Sequence, residues 1–123
     1  MKNIILVISL FVCGHANAYQ NKDFEDKYND LAKTMERSGT WALTYQTDDK
    51  SESINLFCLS TQDAINFLDY ISDNYNDYKE MLKNADMTAL PKVEFEEMKI
   101  KRLTEIEGYK KDLVGTVYNC SPE

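Results

Sequence analysis

Ala64, Leu68, Ile71, Tyr75, Tyr78 and Leu82 follow one another at steps of 4, 3, 4, 3 and 4 residues. That spacing lines side chains along one face of an α-helix, and a stripe of that length must be buried against other amphipathic elements. Ser60-Thr61-Gln62-Asp63 supplies a start signal, a hydroxyl followed three residues later by an acid, so the spacing predicts a helix from Ser60 to about Lys83. Two more helices fit beside it. Phe24, Tyr28, Leu31 and Met35 share a face over residues 22–37, with Asp23, Glu25 and Asp26 in the first turn, Lys33 and Arg37 near the end, and Gly39 as a stop. Pro91 suits the opening of the other, which runs to about Glu107 with Phe95, Met98, Arg102, Ile106 and Tyr109 on one side and Gly108 after it.

Between these helices the period changes. Trp41, Leu43 and Tyr45 alternate with smaller or polar residues, and "INLFCL" follows the turn-rich "TDDKSES", a pattern that reads as a β-hairpin, with two short helices as the alternative. "DLVGTVYNC" is rich in β-branched and aromatic residues and reads as a last strand. The expected fold is therefore α+β, three amphipathic helices packed on a small antiparallel sheet, with an all-helical bundle as the alternative.

Residues 1–18 carry one lysine, an apolar run from Ile4 to Val12, and Ala16-Asn17-Ala18. This is the pattern of a secretory signal peptide, and it predicts a periplasmic or secreted protein. Lipidation at Cys13 is the alternative, set against the bulky Phe11 and Val12. Residues 19–123 then form a single globular domain with no integral membrane segment. They contain two cysteines, Cys58 and Cys120, whose even number in an exported chain predicts a disulfide. Their separation is wrong for a C-x-x-C redox centre.

Loss of Lys2 takes the formal charge from −7 to −8. Nucleic acid is a poor partner for such a chain, because phosphate contacts need clustered Lys and Arg. A basic protein suits it better. The single histidine, His15, falls in the leader, so histidine-based nucleophile pairs, general bases and metal sites are not expected. No phosphate-cradling glycine loop occurs, and neither a metal nor a cofactor is expected. "DNYND" puts Tyr75 where a calcium loop wants an oxygen ligand. Two carboxylates acting as a glycosidase pair stay open as a minor alternative.

Asp69, Asp73, Asp77 and Glu80 fall within a narrow arc of the helix expected over 60–83, opposite its apolar stripe, with Tyr70 at the flank. Like charges four residues apart repel. The arc reads either as a solvated face or as a docking surface for a basic partner. Trp41 is expected in the core, and Arg102 is expected to snorkel or to pair with Glu105 or Glu36.

The leader ending Ala16-Asn17-Ala18, the acidic body, the absence of histidine and the Cys58/Cys120 pair resemble the plan of small bacterial periplasmic immunity proteins and lysozyme inhibitors. The resemblance is one of plan and carries no residue across. It implies a non-enzymatic binding protein that neutralises an envelope-directed toxin, lysozyme or amidase-like enzyme. The alternative is an envelope assembly or stress-protection factor, or a small glycan-cleaving enzyme.

Overall fold

Asp49 starts a helix at the place where the sequence suggests a hairpin turn. The computed structural model describes residues 21–121; the leader assigned to residues 1–18, with Cys13 and His15, lies outside them. Among these residues there are four helices, α1 (Lys22–Thr44), α2 (Lys50–Asp73), α3 (Tyr75–Asn84) and α4 (Lys92–Asp112). Among the described residues there is no strand and 77% are helical. The expected antiparallel sheet is thereby overturned, and the all-helical alternative describes the fold.

The reason is visible in the buried positions. Phe24, Tyr28, Ala32, Met35, Gly39 and Ala42 are all buried in α1 at steps of 4, 4, 3, 4 and 3. The stripe thus continues past Met35 through two small residues that carry little hydrophobic signal. Gly39 does not stop the helix, and Trp41 and Leu43 become outward-facing helical residues, 55% and 59% exposed. In α2 the Asp49 carboxylate accepts hydrogen bonds from the Ser51 and Glu52 amides, which satisfies free donors of the first turn. "INLFCL" is consequently helical. Ser60 and Thr61 lie buried in the middle of α2 instead of opening it, and the Thr61 hydroxyl donates back to the Phe57 carbonyl at 2.8 Å.

The helix expected to run from Ser60 to Lys83 is two helices. Asn74 breaks it, because its side-chain amide donates to the Tyr70 carbonyl at 2.9 Å while its backbone leaves the helical region at φ −124° and ψ 40°. The break brings Met81 into the core at 2% exposure. At the far end of α3 the Asp86 and Met87 amides donate to the Lys83 and Leu82 carbonyls. Asp86 takes the left-handed conformation, φ 57°, that such a helix end requires.

α2 is the central helix and packs against α1 on one side and α4 on the other. Its Phe67 meets Tyr28 of α1 with ring centroids 5.0 Å apart. Tyr78 of α3 stands edge-on to Phe95 of α4 at 5.1 Å, so α3 closes one end of the same core. Burial pushes the Tyr78 phenol up to about 12. Arg102 is 2% exposed and pairs with Glu105, one of its sequence-expected partners, on the α4 face that Phe95 and Ile106 also bury.

The Cys58–Cys120 disulfide is present, with Cα atoms 5.5 Å apart. It ties α2 to residues 113–121, which follow α4 as turns instead of a strand. Leu113 is buried there, whereas Val114 and Val117 are 81% and 89% exposed. Gly115 supplies the left-handed φ of 82° needed in a turn closed by the Thr116 amide on the Leu113 carbonyl. Cys120 also has a positive φ of 61°, held by its amide donating to the Asn55 carboxamide at 2.8 Å. No described helix is long and apolar enough to cross a membrane.

Candidate functional site

The break at Asn74 divides the acidic arc. Asp69 and Asp73 stay on α2, and Asp69 forms an ion pair with Lys99 of α4 at 2.5 Å. That bond and the Asp69 charge raise the Lys99 pKa, with a smaller contribution from Asp73. Asp77, on α3, accepts a hydrogen bond from the Asn21 side chain at 3.0 Å, at the mouth of α1. Tyr70 is half-buried and stacks on Phe24, with centroids 5.4 Å apart and planes 14° apart. Burial raises its phenol, and Asp77 and Asp23 add to the effect. Only Asp73 and Glu80 of the five residues are exposed. The chain relieves part of the expected repulsion with its own Lys99 and Asn21, and the five residues divide between α2 and α3.

A concave feature lies elsewhere. The C-terminal half of α1 and the middle of α2 border an open groove of about 910 Å³, within the size range of ligand and peptide sites. Leu56 and Leu59 of α2 and Trp41 of α1 make its apolar lining. Trp41 is half-exposed and stacks on Tyr45, centroids 5.2 Å apart and planes 26° apart. An exposed tryptophan is the costliest apolar side chain to leave in water and the commonest kind of binding anchor.

Helical geometry assembles the rest of the α1 side. Lys33, Arg37, Trp41 and Tyr45 recur every four residues, so they form one row, with two cations at one end and two stacked rings at the other. Lys33 and Arg37 line the groove. Across it on α2, Asp63 is partly buried; burial raises its carboxyl pKa, and a hydrogen bond with Ser38 opposes the shift. The folded state therefore favours the protonated form more than the unfolded chain does. That advantage is full below the ordinary value of 3.8 and disappears as pH rises through the folded value. Asp63→Asn is accordingly expected to melt higher than the parent protein at pH 7, with the gap closing below pH 4 in paired thermal melts. A constant gap would refute the assignment.

The sequence reading found neither the groove nor its members, since it placed Trp41 in the core and took Lys33 and Arg37 only as helix-end charges. The four-residue row was the available signal. Among the described residues there is no cluster of three or more His, Cys, Asp or Glu placed to hold a metal ion. No protein-family model, no curated protein and no solved structure matches the chain.

Proposed function

We propose that this is an exported, non-enzymatic binding protein of the envelope assembly or protection class, which holds its partner in the α1–α2 groove. The observation that carries the reading is the stacked, half-exposed Trp41–Tyr45 pair beside an apolar groove. The signal-like leader and the disulfide support an oxidising compartment outside the cytoplasm. A surface of this kind binds by burying apolar area, so its affinity should change only a few-fold with ionic strength.

The test is capture from envelope extract with the oxidised protein, run beside Trp41→Ala. Trp41 is half-exposed and its removal forfeits mainly the stack on Tyr45, so the variant should melt within about 1.5 kcal/mol of the parent. Its partner should be lost, and retention across a rise in salt should be nearly level for the parent. A partner kept by Trp41→Ala would sink the groove assignment.

The exposed Asp73 and Glu80 favour a second reading, neutralisation of a basic envelope-directed enzyme. Binding of that kind weakens steeply with salt and is indifferent to Trp41→Ala. The same experiment separates the two.

A further inference from the structure

Resting on the groove as the binding surface, we infer that its occupant is an amphipathic peptide segment of a partner protein with an acidic flank, seated with apolar side chains over Trp41 and Tyr45 and carboxylates at Lys33 and Arg37.

Charge complementarity carries the argument. Among the described residues Lys22, Lys99 and Arg102 are engaged in ion pairs. Lys33 and Arg37 are exposed and make no ion pair or hydrogen bond. They stand four residues apart on one row, where two like charges repel. Such a pair beside an apolar groove, in a chain of formal charge −7, is a local reversal of sign that an incoming acid would neutralise.

The two carboxylates of the groove do not cancel it. Asp63 is partly buried on the α2 wall, across the groove from the Lys33–Arg37 row. Glu36 lies on the rim, but at about 100° per residue it stands roughly 140° around α1 from Trp41, whereas Arg37 is only about 40° away. The cation is therefore the rim charge beside the aromatic stack.

Shape favours a peptide over a single acyl chain. The lining positions run from Lys33 to Thr44 along α1, roughly 16 Å at 1.5 Å per residue, and the groove is open along that length. About three turns of a partner helix fit such a length, with apolar residues at helical spacing on one face.

The experiment is selection from a randomised, tryptophan-free library of peptides about twelve residues long, roughly 18 Å as a helix, against the oxidised protein. Trp41 is the only tryptophan of the chain, so its emission reports occupancy of the groove directly. Selected peptides are expected to combine Asp or Glu with large apolar residues and to shift Trp41 emission. Lys33→Glu with Arg37→Glu should leave the melting temperature unchanged, weaken the selected peptides at least tenfold, and on re-selection favour Lys and Arg. Selection of basic peptides by the parent protein, or affinity unmoved by the double reversal, would overturn the acidic occupant while leaving the groove in place. Peptides that bind without moving Trp41 emission, or no selection at all, would overturn the inference and the groove reading together.

Discussion

Cys58→Ala with Cys120→Ala is expected to lower the free energy of unfolding by about 4 kcal/mol. The two residues are 62 apart in sequence, so the bond removes a large closed-loop entropy from the unfolded chain. A loss of that size is a large part of the roughly 5–15 kcal/mol that holds a domain of this kind together. It should fall unevenly. Residues 113–121 are fastened by the disulfide, by the Cys120 amide on Asn55 at 2.8 Å and by the Tyr118 hydroxyl on Asp49 at 3.4 Å. Without the bond, the left-handed backbone at Cys120 is free to relax and the segment loses its main tether. Amide exchange in 113–121 should rise well before exchange in α2. Denaturant melts of the double variant, with exchange measured alongside, check both parts; a loss below about 1 kcal/mol would show that the helices hold the C-terminal segment unaided.

Phe67→Ala should cost about 3–5 kcal/mol. Phe67 is fully buried in the C-terminal third of α2 and meets the Tyr28 ring at 5.0 Å. Tyr28 in turn stacks with Tyr78 at 6.4 Å, and Tyr78 meets Phe95 edge-on. One ring thus touches the aromatic chain that joins all four helices. Removing it leaves a cavity that rigid aromatic neighbours fill poorly, which places the cost toward the upper part of the range. Phe67→Leu should recover most of it. Equal losses for the two substitutions in urea melts would mean that ring packing is not what sets the stability of this core.

Both variants test features whose residues could be named in advance to different degrees. The disulfide is expected from two cysteines that follow a leader read as an export signal, and the structure pairs them. Phe24, Tyr28, Met35, Leu68, Ile71, Tyr78, Leu82, Phe95 and Ile106 lie in the core, on the stripes their spacing defines. The hairpin failed for a specific reason. Trp41, Leu43 and Tyr45 alternate as a strand would, yet Gly39 and Ala42 continue the α1 stripe on the opposite side, and small residues weigh little in a hydrophobic pattern. Asp49 and Glu52 stand three apart like the ends of a capping box, but they sit inside a stretch whose composition also suits a turn. The last strand failed because Val114 and Val117 have strand propensity but no sheet to join among the described residues.

The candidate surface was less legible than the core. The acidic arc assumed one continuous helix, and the hydrogen bond from Asn74 to Tyr70 divides it. Lys99 is thirty residues from Asp69 in sequence, so no local pattern could pair them. The exposed Trp41 is the converse case, because a lone tryptophan in an apolar context is usually core and only a second helix alongside shows which of its faces is covered.

Periodicity and residue chemistry by themselves determined where most helices lie, which side chains they bury and that the two cysteines join. Such properties depend on neighbours within a turn or two, or on residue type alone. Tertiary structure decided that no sheet forms among the described residues, that α2 and α3 part at Asn74, and that Trp41 borders a groove while Asp69 meets Lys99. Each of those outcomes rests on contact between segments far apart along the chain, whose free energy exceeds the few tenths of a kcal/mol by which local preferences differ.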